Sequence, residues 1–162
     1  MIAVSNSTPL IALARIQRLE LLHDFFQEIY IPEEVYDEVV RRGKDLPGAA
    51  EVEASSFIKV ENVDNRVAVD ALSISLDRGE AEAIVLAEEK KALLIIDDGD
   101  GRRTAELLGL KITGTIGILL LASREGFLDL KRSMDDLKSV GFRISNREYE
   151  KILSLQRDFN RY

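Results

Sequence analysis

The stretch Ala92-Leu93-Leu94-Ile95-Ile96-Asp97-Asp98-Gly99-Asp100-Gly101-Arg102-Arg103-Thr104 decides the fold. An apolar run from Ala92 to Ile96 stops at two aspartates. A glycine-punctuated turn follows, and then a helical pattern over Arg102 to Leu108. A buried strand feeding a helix through a tight polar turn is the unit from which parallel sheets are built.

The same alternation runs outward in both directions. Toward the amino terminus it predicts strands at Ile2 to Val4, Glu28 to Ile31 and Phe57 to Val60. Between them, Thr8-Pro9 reads as a cap followed by proline at the first helical position, opening a helix to about Arg18. A second short helix ends near Phe26, and Pro32 opens a third, with Val35, Val39 and Val40 on one face opposite Glu34, Asp37 and Arg41. Ala49 to Ser55 reads as helical after a turn over Gly43 to Gly48. Residues 66–91 read as two helices broken near Ser75 to Asp77. Toward the carboxyl terminus come a strand at Lys111 to Thr113 and a helix at Thr115 to Arg124. The rest is helical, with a capping-box spacing at Ser145 and Glu148. Strands alternating with helices give an α/β class with a central parallel sheet. The organisation predicted is a single domain over residues 1–162, in which 131–162 form a helical carboxyl-terminal extension.

Composition narrows the chemistry. The 162 residues contain no cysteine and a single histidine, His23, which removes thiolate nucleophiles, cysteine-ligated metals and histidine clusters. Asp and Glu number 29 against 22 Lys and Arg, for a net charge of -7, so the functional groups on offer are carboxylates. An acidic average also argues against a nonspecific coat for DNA. The amino-terminal residues have no basic start or long apolar core, and the apolar runs are too short to span a bilayer. The expectation is a cytoplasmic protein with no membrane partner.

In an open parallel sheet the ligand crevice lies beyond the carboxyl ends of the strands. Asn6 follows the first strand and Asp97-Asp98 follows the strand at Ala92 to Ile96, so the two converge if those strands are neighbours. Glu80 falls in the first turn of its helix, and Glu38 can reach the crevice from the helix after Pro32. Carboxylates so gathered raise one another's pKa unless a hard cation neutralises them, and Mg2+ or Mn2+ does so with oxygen ligands. Such a site suits phosphodiester hydrolysis. Each residue also has a plainer reading. Asn6 shapes a turn, Glu80 pairs with Asp77 in a capping box, Glu38 is a solvated helix charge, and Asp97-Asp98 are a cap and a turn acid. Glu82 and Glu88 read as surface charge. Gly99 to Thr104 fails as a dinucleotide fingerprint, because Thr104 stands where a third glycine is needed. A calcium loop fails for want of its later acid.

Taken together and in order, these segments resemble the PIN-domain family, a metal-dependent ribonuclease fold that includes the toxins of VapBC-type toxin–antitoxin pairs. Val4-Ser5-Asn6-Ser7-Thr8-Pro9-Leu10-Ile11 is similar to the first motif, an acid or its replacement followed two residues later by serine or threonine. Pro32 to Val39, with Glu38, resembles the second segment; Leu76 to Ile84 and Leu94 to Ala105 resemble the remaining acidic motifs. Gly109 to Gly117 is similar to a PIN-like branch often coded beside small antitoxin-like genes. The resemblance covers about residues 1 to 130. Active members usually carry aspartate where this chain has Asn6, whose amide can ligate a cation but brings no charge and cannot act as a base.

The resemblance implies an α/β/α sandwich and an endoribonuclease using Mg2+ or Mn2+, held by Asn6, Glu38, Glu80 and Asp97 or Asp98 as catalytic and metal residues. It implies that Thr8 orients the first ligand. Arg102 and Arg103 are candidates for RNA phosphates, although a solvated arginine pair is the more common meaning of such a run. Implied partners are RNA, an antitoxin protein and a second copy in a homodimer. Ile144, Tyr149, Ile152, Leu153 and Leu155 in the closing helices point to the same self-association. The competing reading is a non-catalytic PIN-like module that binds RNA or protein.

Overall fold

Five strands carry the architecture: β1 (Ile2–Ser5), β2 (Glu28–Pro32), β3 (Ile58–Glu61), β4 (Leu93–Ile95) and β5 (Ile112–Thr113). They lie side by side in the order β3-β2-β1-β4-β5, every pairing parallel, in a computed structural model that describes residues 1–97, 99–159 and 161. The candidate Asp98 lies outside the described residues. From β1 the chain builds outward through β2 to β3, then returns to the other side of β1 for β4 and β5. The reversal places the crevice between the carboxyl ends of β1 and β4. There Ser5 pairs with Ile95, and the Asn6 amide donates to the Ile95 carbonyl at 3.0 Å.

Both faces of the sheet are covered, which is why the strands read as nearly continuous apolar runs. Period-two alternation divides them between two cores. Ala3, Ile29, Ile31 and Ile95 pack on one side against α1 (Ser7–Arg15), α2 (Leu21–Phe25), α8 (Thr115–Arg124), α9 (Leu130–Ser139) and α10 (Asn146–Phe159). The same layer holds α3 (Glu33–Tyr36), the π-helical turn Asp37–Arg41 that continues it, and α4 (Ala49–Ala54). Val4, Leu94 and Ile96 face the other side, against α5 (Arg66–Leu72), α6 (Arg78–Lys90) and α7 (Asp100–Leu107). The architecture is therefore an α/β/α sandwich, as expected. No helix among the described residues is long and apolar enough to cross a membrane.

Three local readings are corrected. Helix α1 begins at Ser7 with Asn6 as its cap residue, so Pro9 sits third in the helix rather than first and Thr8 does not cap it. Proline is tolerated there because the first-turn N–H groups have no partner within the helix. The segment after Pro32 is not one uniform α-helix. The Arg42 amide donates to the Asp37 carbonyl at 2.7 Å, one residue beyond the α-helical spacing, and the resulting π turn contains Glu38. Finally, Glu82 is not a surface charge: it is only 3% exposed, with Arg66 at 3.1 Å and Arg78 at 3.9 Å. Glu88 is exposed, beside Lys91.

Candidate functional site

Helix propensity gives the first clue to how the site is assembled. Gly79 and Gly101 each occupy the second position of a helix, α6 and α7, where glycine costs roughly 0.5–1 kcal/mol relative to alanine. Each has a carboxylate against it. A Cβ on Gly79 would overlap the Glu38 carboxylate, with Cδ at 3.1 Å; one on Gly101 would lie 3.1 Å from Glu80 Cδ and Oε1. Gly114, the cap residue of α8, repeats the arrangement, since its Cβ would fall 2.7 Å from Asp97 Oδ1. Glu38, Glu80 and Asp97 thus each rest on the amino-terminal end of a helix, where the helix dipole favours negative charge.

Their partners differ. Glu38 Oε2 accepts a 2.5 Å hydrogen bond from Ser7 Oγ, which ties the π turn to the residue after Asn6. Glu80 is turned back on its own cap. The Asp77 amide donates to Glu80 Oε2 at 3.3 Å while the Glu80 amide donates to Asp77 Oδ1 at 2.8 Å, so the capping box read from the spacing is present. Oε1 of Glu80 faces Gly101. Asp97 accepts from the Thr115 amide at 2.8 Å through Oδ1 and from Thr115 Oγ1 at 2.7 Å through Oδ2. Asn6 is 8% exposed and its side chain forms no cap hydrogen bond, although asparagine at a cap ordinarily accepts from the first turn.

Burial is the main influence on Glu38 and Glu80, and it pushes both carboxyls up from the ordinary glutamate range. The Ser7 hydrogen bond works against burial at Glu38; the Asp77 carboxylate adds to the rise at both, while the Asp77 backbone amide works against it at Glu80. A carboxyl raised in the folded state favours folding below its unfolded pKa and loses that contribution as pH rises through its folded pKa. Near neutrality, then, these two groups oppose folding, and a nearby cation would relieve them. Replacing Ser7 by alanine removes the interaction that lowers Glu38, so its carboxyl should titrate at still higher pH. Carboxyl-resolved NMR titration of wild type and Ser7→Ala measures this directly, and an unmoved Glu38 signal would contradict the Ser7 assignment.

The donor set suits a hard cation in kind: a buried amide without a cap bond and two carboxylates that burial makes reluctant to ionise alone. In number it is smaller than expected. Among the described residues no three acidic side chains are placed to hold one ion together, and both oxygens of Asp97 are engaged by Thr115. The structure brings Glu38 to Ser7 and Gly79, and Glu80 to Asp77 and Gly101. It directs Asp97 toward α8.

Thr8 is exposed on the wall of a groove, and the residue that bonds a candidate carboxylate is its neighbour Ser7. Arg102 folds back so that Nη1 donates to the Ile96 carbonyl at 3.0 Å, beside Asp97. Arg103 points outward and pairs with Asp100. His23 is exposed and stacks on Phe57, its ring centroid 5.0 Å away. Ser7, Thr115 and the three glycines escaped the sequence reading, whereas Asp77 was read from its spacing as the cap partner of Glu80. The paired glycines at second helical positions were the available signal.

Five parallel strands between two helical layers, with a switch point between β1 and β4, define an open α/β/α sandwich. The chain belongs to the PIN domain family, whose model matches residues 2–158. PIN domains are typically nucleases. A solved PilT N-terminus domain protein from the hyperthermophilic archaeon Sulfolobus solfataricus P2 is similar in fold, with a TM-score of 0.54 at 22% identity. The similarity covers 73% of this chain and 90% of that one. No curated protein matches the chain.

Proposed function

We propose that this PIN domain is an endoribonuclease that uses Mg2+ or Mn2+, with Asn6, Glu38 and Glu80 as the residues that would hold the ion and Asp97 or Asp98 completing the set. The observation that carries the reading is the pair of glutamates, each backed by a glycine cut to its carboxylate, one of them bonded to Ser7, the residue after a buried asparagine that does not cap its own helix. When bound, such an ion supplies an activated water and charge stabilisation at the phosphoryl group. The chain's own residues have separate tasks. Ser7 fixes the orientation of Glu38 through Oε2. Asp77 holds Glu80 Oε2, which fixes the side chain and leaves Oε1 as the oxygen it would offer to the ion. Asp97 anchors the start of α8 and so sets the wall beside the crevice.

The finer reading is that of a toxin restrained by an antitoxin and acting as a homodimer. It rests on the similarity of Gly109 to Gly117 to the antitoxin-associated branch and on the apolar residues of α10. Leu155 remains 41% exposed there. The non-catalytic alternative is favoured by one specific observation, the engagement of both Asp97 oxygens by Thr115.

Incubation of the purified protein with end-labelled single-stranded RNA and Mn2+ separates the two. Cleavage that EDTA abolishes is the expected result, and intact RNA at high protein concentration would overturn the nuclease reading.

A further inference from the structure

Ten of the 22 lysines and arginines are in ion pairs with acids among the described residues. Arg41 pairs with Glu33 and Asp37, Arg42 with Glu34, Lys59 with Glu28, and Lys131 with Asp135. Several of the others line one groove. A groove of about 1390 Å³ runs from the carboxyl edge of the sheet, at Thr8, Asp97 and Gly114, to the connection between α9 and α10. The described residues lining it include five cations, Arg15, Arg102, Lys138, Arg143 and Lys151, against two acids, Asp97 and Glu148. Glu148 is engaged in capping α10 through Ser145. Arg15, Lys138, Arg143 and Lys151 are exposed, and among the described residues none of the four is in an ion pair. A chain of net charge -7 therefore lines this groove with four cations that are in no ion pair among the described residues.

Between the cations the wall is apolar. Phe142, Ile144 and Ile152 line it. Spaced cations over an apolar and aromatic surface match a single polynucleotide strand, whose phosphates take the charges and whose unpaired bases take the apolar wall. A duplex turns its bases inward and has no use for that wall.

We infer that the carboxyl-terminal helical pair is the substrate-holding half of this protein: Arg143 and Lys151, which line the groove together with Arg15, grip the phosphodiester backbone of a single strand and lead it to the Asp97 end. The inference rests on the nuclease reading for where the strand leads, while the grip itself is independent of metal. RNA and single-stranded DNA share the backbone chemistry, and the arms of the test distinguish them.

The test is fluorescence anisotropy in EDTA with labelled oligo-U and oligo-dT, titrated with NaCl, on the full chain. Arg143→Glu/Lys151→Glu is compared with Lys44→Glu/Arg132→Glu, an equal change of net charge at exposed residues outside the groove. Circular dichroism verifies that both variants fold. Wild type should bind, and loss of two phosphate contacts should flatten the slope of log K against log salt by about 1.4, at roughly 0.7 per contact on single strands. Affinity at low salt should fall at least about tenfold, while the control pair loses much less. Binding of oligo-U alone would add recognition of the 2′-hydroxyl to the grip, and binding of both strands would leave it on phosphate; either supports the inference. Equal losses in the two variants, no binding by wild type, or displacement of the strand by equimolar poly-glutamate would overturn it, the last pointing to an acidic protein partner. If cleavage with Mn2+ fails while the groove variant still binds more weakly, the nuclease reading falls and the groove stands. If cleavage succeeds and the variants bind alike, the reverse holds.

Discussion

Replacing Glu38 and Glu80 together by glutamine should reduce Mn2+-dependent RNA cleavage by about 10³-fold or more, corresponding to roughly 4 kcal/mol of transition-state stabilisation. Glutamine keeps the shape of each side chain and removes its charge, so the fold has little reason to change. Stability makes the result diagnostic. Both carboxyls are raised by burial, and near pH 7 their ionised forms oppose folding. The metal-free double variant should therefore melt at the same temperature as wild type or higher. Cleavage assays and thermal melts on the same preparations check both halves, and a variant that melts much lower would mean that the glutamates are structural.

The second large effect comes from a residue with no functional group. A methyl group at Gly79 would overlap the Glu38 carboxylate, the movable end of a long side chain, rather than backbone. Gly79→Ala should displace that carboxylate and weaken Mn2+ binding by about tenfold or more, the scale of losses seen when support for a ligand is removed. Alanine at the second position of α6 has the better helix propensity, by roughly 0.5–1 kcal/mol. The melting temperature should hold or rise while metal affinity drops. Calorimetric titration beside a thermal scan shows whether the two quantities move in opposite directions, and unchanged Mn2+ affinity would remove Gly79 and Glu38 from the account.

Much of this was legible in the residues. Ala92 to Ile96 followed by Asp97 fixed β4 and the polar residue at its end because the hydrophobic period changes there. The rule for parallel sheets places Asn6 and Asp97 at the ends of two strands, and those strands are neighbours, with Ser5 opposite Ile95. The capping boxes at Asp77 and Glu80 and at Ser145 and Glu148 are local, and spacing alone revealed them. What escaped the reading depends on distant segments. The π turn adds one residue to a helical circuit and rotates Glu38 relative to a regular helix, a change that apolar periodicity does not record. Glu82 looked solvated until Arg66 and Arg78 were brought to it. Asp97 meets Thr115 from 18 positions away, so its capping role appeared only with β5 and α8 in place. The start of α1 was misplaced because Pro9 drew the boundary toward itself, hiding Ser7 as the partner of Glu38.

Asn6 is where the chain departs from the pattern its other motifs support, and it offers the most direct test of the proposed metal site. Isothermal titration of Mn2+ into wild type and Asn6→Asp at pH 7 should give one weak site in wild type and a site roughly tenfold tighter in the variant, since ligand charge governs how well oxygen donors hold a divalent ion. Both affinities should decline as pH falls through the raised carboxyls of Glu38 and Glu80, because protons then compete for the same oxygens. Negligible heat from both proteins would contradict the account and leave the crevice as structural capping.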